Sequence, residues 1–145
     1  MPHLINPLTI PRADLRYLRQ YKEVACLSTD SVGEWMCTRD EMINGKLRVH
    51  RADPQDIDKM PAIGVLVSKS TPTVGIIQLY GLCEVYSGLD LSQTVYFLGT
   101  DGRISDTQPI VGLGGYSFIQ LLGTPVSSGI LQINNGGMNM IKKVA

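Results

Sequence analysis

The segment Ala62-Ile63-Gly64-Val65-Leu66-Val67 is apolar along almost its whole length. A strand with one wet face alternates apolar and polar side chains, so an unbroken apolar run predicts a strand buried on both faces. Its one glycine, Gly64, permits close approach of a neighbouring backbone. On either side lie shorter β-prone segments. Thr73–Tyr80 and Leu82–Tyr86 follow it, and Val24–Ser28, Glu34–Thr38 and Leu47–Arg51 precede it. Asp30-Ser31-Val32-Gly33 and Asn44-Gly45 separate the earlier ones with turn chemistry. Asn-Gly is a strong hairpin signal because both residues tolerate positive φ. Further on, Val95–Leu98 enters a turn at Gly99–Gly102 and Arg103–Ser105 leaves it, with Tyr116–Leu122 and Gly129–Ile133 completing the series. Strands at intervals of roughly 8–12 residues imply a single antiparallel β-sandwich or open β-barrel, here assigned to residues 23–145. Composition agrees, with 15 Gly and 8 Pro scattered among Val, Ile, Thr and Tyr.

Residues 1–22 read as a separate N-terminal arm. Pro2, Pro7 and Pro11 fix φ and remove backbone donors, which favours an extended chain. From Arg12 to Tyr21 the spacing of Leu15, Tyr17, Leu18 and Tyr21 suits a short helix, with Pro11 at its first turn. Arg12, Arg16 and Arg19 would then share one face. They either meet an acidic patch on a partner or form a solvated face. Pro7, Pro11, Arg12, Arg16 and Arg19 are accordingly the candidate partner-binding residues.

At the other end, residues 107–141 carry no charged side chain. Two readings are open. The stretch is a pair of core strands with polar turns, or it is covered by neighbouring copies of the chain. The second reading nominates Tyr116, Phe118, Ile130 and Ile133 as an oligomer interface.

The 145 residues hold 13 Lys+Arg against 13 Asp+Glu, a balance that argues against nucleic acid or a membrane surface as the principal partner. No run approaches the roughly 20 apolar residues of a membrane-spanning helix, and Met1-Pro2-His3 does not open a secretory signal. Cys26, Cys37 and Cys83 are odd in number and widely spaced, as expected of free thiols in a reducing compartment.

Catalytic constellations are thin. The two histidines are His3, in the arm, and His50, in a basic strand where it reads as a partly exposed residue. Cys26 and Cys37 lack metal-ligand spacing. Gly112-Leu113-Gly114-Gly115 precedes a strand rather than the helix a phosphate cradle requires. The run Asp53-Pro54-Gln55-Asp56-Ile57-Asp58 has oxygen ligands but not the order of an EF-hand loop, and reads as a solvated loop. Trp35 reads as a core anchor. No catalytic residue, metal or cofactor is expected.

Between residues 31 and 133 a set of segments recurs in an order that resembles a known module. They are Ser31-Val32-Gly33, Leu47-Arg48-Val49, Ala52-Asp53-Pro54, Lys59-Met60-Pro61-Ala62-Ile63-Gly64-Val65 and Ser68-Lys69-Ser70. After them come Gly81-Leu82-Cys83-Glu84-Val85, Ser87-Gly88-Leu89, Val95–Gly102, Ile119–Gly123 and Ile130–Ile133. The combination is similar to a β module of tailed-bacteriophage virion structural proteins, most of all the head decoration, or cement, proteins. Asp90-Leu91-Ser92-Gln93 departs from the Pro-Gly turn common after the Ser-Gly-Leu motif, and the arm has no counterpart in the module. The resemblance implies a non-enzymatic protein of the capsid exterior, made in the host cytoplasm. Its expected partners are the major capsid protein and further copies of itself, as a homotrimer. A tail, baseplate or fibre-associated adaptor is the alternative within the virion. A carbohydrate-binding host-attachment module is another, with Trp35, Tyr80, Tyr86, Tyr96 and Tyr116 as possible stacking rings.

Overall fold

The computed structural model describes residues 20–109, 118–133 and 141–143. They form ten strands: β1 (Gln20–Ala25), β2 (Trp35–Ile43), β3 (Lys46–Arg51), β4 (Gly64–Thr71) and β5 (Val74–Cys83), then β6 (Tyr96–Leu98), β7 (Ile104–Ser105), β8 (Phe118–Ser127), β9 (Ile130–Ile133) and β10 (Ile141–Lys143). Two single 3-10 turns, Ile57–Lys59 and Thr100–Gly102, accompany them. The fold is mainly β, as expected.

Asn44 and Gly45 join β2 to β3 with φ of 52° and 77°. Two consecutive left-handed residues match the twist of the flanking strands, and the hairpin closes with Ile43 opposite Lys46. A second hairpin joins β4 to β5, and β2 lies against β4 through Trp35–Val65 and Met36–Gly64. β1 then pairs antiparallel with β5, from Gln20–Tyr80 to Ala25–Val74, and parallel with β3 through Val24–Leu47 and Ala25–Arg48. The five strands therefore close into a ring in the order β1-β3-β2-β4-β5. The parallel pair departs from the expected antiparallel neighbours. The chain leaves β1 through a loop and crosses to β2 before the hairpin returns β3 alongside it.

Thr73–Tyr80 and the start of Leu82–Tyr86, read separately in the sequence, combine into the single strand β5, which ends at Cys83 and leaves Glu84–Tyr86 outside it. Gly81, at φ 93°, marks where that strand changes partners. Up to Tyr80 it pairs with β1 and β4, whereas Gly81–Cys83 pair with β9. Across this point the buried Gln78 side chain donates from Nε2 to the carbonyls of Tyr80 and Leu82, each at 3.0 Å. From β9 the sheet continues through β8, β6 and β7, with β10 alongside the first residues of β8.

Two cores result. Val24, Met36, Val49, Leu66 and Ile77 come one from each ring strand and, with Cys26, fill the ring interior. The larger core lies between the ring's outer wall and the second half of the sheet. Trp35, Cys37, Val65 and Cys83 meet Leu98, Leu122, Leu131 and Ile133 there. Alternation along β2 and β4 divides their side chains between the two cores. Trp35 and Cys37 face one and Met36 the other, as do Val65 and Leu66. The apolar run at 62–67 is thus buried on both faces, since Val65 and Leu66 are each fully enclosed. Burying a side chain of this size is worth about 1.5–3 kcal/mol. Gly64 is packed so tightly that a Cβ would lie 2.7 Å from the Gln78 carbonyl oxygen.

Several expectations about the chain ends are revised. Gln20, Tyr21 and Lys22 belong to β1, so the β domain begins before residue 23 and Tyr21 is in a strand rather than a helix. The remainder of the arm lies outside the described residues. Within the uncharged stretch, residues 118–133 form β8 and β9, two paired strands of the sheet. For these residues the first reading of that stretch holds.

Candidate functional site

Three surface features stand out among the described residues. The first is a depression of about 310 Å³ beside the tip of the β2–β3 hairpin. Apolar groups of Ala25, Leu27, Ile43 and Val74 line it, and Lys46 and Arg48 add two cations. Lys46 and Arg48 share a face because they are two residues apart on β3. Leu27 and Ile43 remain 39% and 37% exposed, and neighbouring Met42 is 62% exposed. Lys46 Nζ lies 3.5 Å from Glu23 Oε1. The Arg48 Nε is buried without a hydrogen-bond partner. Cys26 also lines this depression. Burial raises its thiol pKa, although Lys69 and Arg48 pull the other way, so it is held as a thiol rather than as a nucleophilic thiolate.

The second feature is a more open hollow of about 410 Å³ between Ser31–Glu34 and Val85, Tyr86, Arg103 and Ile104. One side is pinned by a short relay. The Trp35 Nε1–H donates to the Tyr86 hydroxyl at 2.9 Å, which donates to the Gly33 carbonyl at 2.8 Å. Burial drives the Tyr86 phenol pKa far above the ordinary tyrosine range. The hydroxyl therefore acts as a neutral strut for the 31–34 loop, with both hydrogen-bond roles already used.

The third is the acidic turn after β3. Asp53 Oδ1 accepts from the Gln55 N–H and Asp56 Oδ1 from the Asp58 N–H, each at 2.9 Å. These caps raise Ile57 into solvent, 64% exposed. Arg39 donates from Nε to the Asp58 carbonyl at 3.2 Å, tying the turn to β2. The carboxylates serve turn geometry here, and no group of three or more His, Cys, Asp or Glu among the described residues is placed to hold a metal ion.

Nearby charges brace the loop between β1 and β2. Lys69 Nζ donates to the carbonyls of Leu27 at 3.0 Å and Asp30 at 2.9 Å, while Asp30 Oδ2 accepts from the Leu27 N–H at 2.8 Å. Arg51 lies 3.5 Å from the buried Asp30 carboxylate. His50, half-buried, has its Nε2 at 3.7 Å from Glu41 Oε1.

Of the residues nominated for an oligomer interface, Ile133 is packed into the larger core at 1% exposure and Phe118 is 8% exposed. This corrects the assignment of Ile133, whose side chain faces the protomer's own core, and Phe118 is likewise buried within one copy, at the start of the interior strand β8. Ile130 is half-buried at the start of β9. Tyr116 and the arm residues Pro7, Pro11, Arg12, Arg16 and Arg19 lie outside the described residues, as does His3. Among the candidate stacking rings, Trp35 and Tyr96 are buried and Tyr80 and Tyr86 pack against the same core, so these four do not form an exposed platform.

Sequence reasoning missed the hairpin-tip depression and the solvent-facing Ile57. Traces of both were present: cations alternating at Lys46 and Arg48, and one isoleucine inside an acidic run. No family model, curated protein or solved structure matches the chain.

Proposed function

We propose that the chain is a non-enzymatic structural protein of a bacteriophage virion. In this reading it decorates the capsid exterior and cements the shell by bridging neighbouring subunits of the major capsid protein. Small contacts repeated over a lattice then add up through multivalency. The observation that carries the reading is the position of the segments resembling the phage module. Met60–Val65 leads into the ring strand β4, and Gly81–Val85, Val95–Gly102, Ile119–Gly123 and Ile130–Ile133 run through the second half of the sheet; together they hold most of the larger core. The likeness therefore includes core strands of the body as well as exposed segments such as Ser31-Val32 and Ser87-Gly88. The buried polar side chains Gln78 and Gln120 bond to backbone groups, as suits a rigid body that binds through its surface.

The test is to incubate purified protein with phage heads stripped of decoration, and to measure occupancy by co-sedimentation and electron microscopy. Saturable, symmetry-related density that raises the heads' resistance to heat or chelator supports the proposal. Failure to bind any head, with specific attachment to tail structures or to glycans, would replace it with the adaptor or the host-attachment reading.

A further inference from the structure

The hairpin-tip depression and the acidic turn have opposite character. The depression is a concave apolar surface bordered by Lys46 and Arg48. The turn is a convex feature with the aliphatic side chain of Ile57 standing between Asp56 and Asp58. We propose that these are the two halves of a contact between copies of this chain. The Asp56-Ile57-Asp58 turn of one copy seats against Leu27, Ile43 and Val74 of a second, with Lys46 and Arg48 facing the incoming carboxylates.

Charge supports the match on both sides. Lys46 and Arg48 line the depression with no carboxylate among its lining residues, Glu23 lying 3.5 Å from Lys46 at its edge, and around the turn Asp53, Asp56 and Asp58 outnumber Arg39 and Lys59. The volume of about 310 Å³ accommodates a branched aliphatic side chain and part of its turn. The two halves occupy different places on one copy. The depression flanks the closed tip of the β2–β3 hairpin at Asn44-Gly45, whereas the acidic turn follows the hairpin's other end at Arg51. Six strand residues at about 3.3 Å each separate the two ends by roughly 20 Å.

The contact joins unlike surfaces, so it is heterologous. Such a contact generates a closed ring where the rotation closes and a filament where it does not. The inference goes beyond the virion reading and is independent of it, since it predicts self-association without a shell.

Sedimentation velocity on the full chain, from micromolar to millimolar, tests it. The wild type is expected to self-associate, more weakly as salt rises. Ile57→Glu removes the projection while keeping the depression, and Ile43→Glu does the reverse. Each is expected to weaken association at least about tenfold, because charge replaces an apolar anchor at the centre of the contact. Lys46→Glu, at the edge of the depression, serves as a milder second variant, with far-UV circular dichroism confirming the fold of all three. The decisive sample mixes the Ile57→Glu and Ile43→Glu proteins. Each still carries the half its partner lacks, so the mixture should form a one-to-one complex and nothing larger. A wild type that stays monomeric overturns the proposal. Association indifferent to these variants, or a mixture that does not recover a complex, overturns it equally.

Discussion

Gln120 and Ala62, 58 residues apart in the chain, are joined by a closed amide pair. The Ala62 N–H donates to Gln120 Oε1, and Gln120 Nε2 donates to the Ala62 carbonyl, each at 2.9 Å. Gln120 is fully buried. One β8 side chain thus satisfies both backbone groups of the residue that leads into β4, where no strand neighbour is available to do so.

Replacing Gln120 by Leu strands two buried backbone groups and is expected to cost about 2–4 kcal/mol. Gln120→Glu should be worse at neutral pH, since an ionised carboxylate offers the Ala62 carbonyl no donor. Urea denaturation measures both. A Gln120→Leu protein as stable as wild type would show that the pair contributes nothing net.

Tyr86 makes the alkaline limb of stability predictable. Burial raises its phenol pKa, so the native state holds that proton more tightly than the unfolded chain. The contribution is present in full below about pH 10, the ordinary tyrosine value, and declines above it as the unfolded state ionises. Burial raises the Cys37 thiol as well, with the same sign and an onset nearer the ordinary thiol range. Tyr86→Phe should lose about 1–3 kcal/mol at neutral pH by leaving the Trp35 Nε1–H unpaired. Its stability should also fall less steeply above pH 10, which denaturation midpoints across the alkaline range will read.

The cysteines should be silent in the native protein. Cys26, Cys37 and Cys83 form no disulfide and are buried, and burial pushes the thiols of Cys26 and Cys37 toward the protonated form. An aromatic disulfide reagent at mildly alkaline pH is expected to react slowly with folded protein and to titrate all three thiols in denaturant. Rapid labelling of the folded protein would contradict the packing described for both cores.

Two glycines separate backbone strain from crowding. Gly45 has φ of 77° with open space where a Cβ would go, so Gly45→Ala should cost only about 1 kcal/mol of backbone strain. Gly64 has no such φ, but a Cβ added there would meet the Gln78 carbonyl oxygen at 2.7 Å, and that obstacle is backbone in a paired strand. Gly64→Ala should therefore cost more, about 1–3 kcal/mol or above. Thermal unfolding of the two variants side by side gives the order.

Removing residues 2–19 should leave a folded body, because the cut stops short of Gln20 and the pairing of β1 with β5. Far-UV circular dichroism and a cooperative unfolding transition check the fold. In the decoration reading the shortened protein loses occupancy on stripped heads. A cut after Lys22 would instead remove three residues of β1 and is expected to destabilise the ring.

Much of this architecture could be read from local chemistry. Asn44-Gly45 specifies a hairpin because few residue pairs accept two left-handed conformations in succession, and the structure has that turn. The unbroken apolar run at 62–67 implies burial on both faces, and Val65 and Leu66 do enter different cores. What the tertiary structure decided is which surfaces meet. A period of two sorts the residues of a strand into two faces but does not say what covers either one. Ile133 therefore looked as suitable for a subunit interface as for a core until β9 was found between β5 and β8. The parallel pairing of β1 with β3, the change of partners at Gly81 and the approach of Gln120 to Ala62 have the same origin. Each depends on contacts between residues far apart in the chain, whose relative placement follows from closure of the ring rather than from local preference.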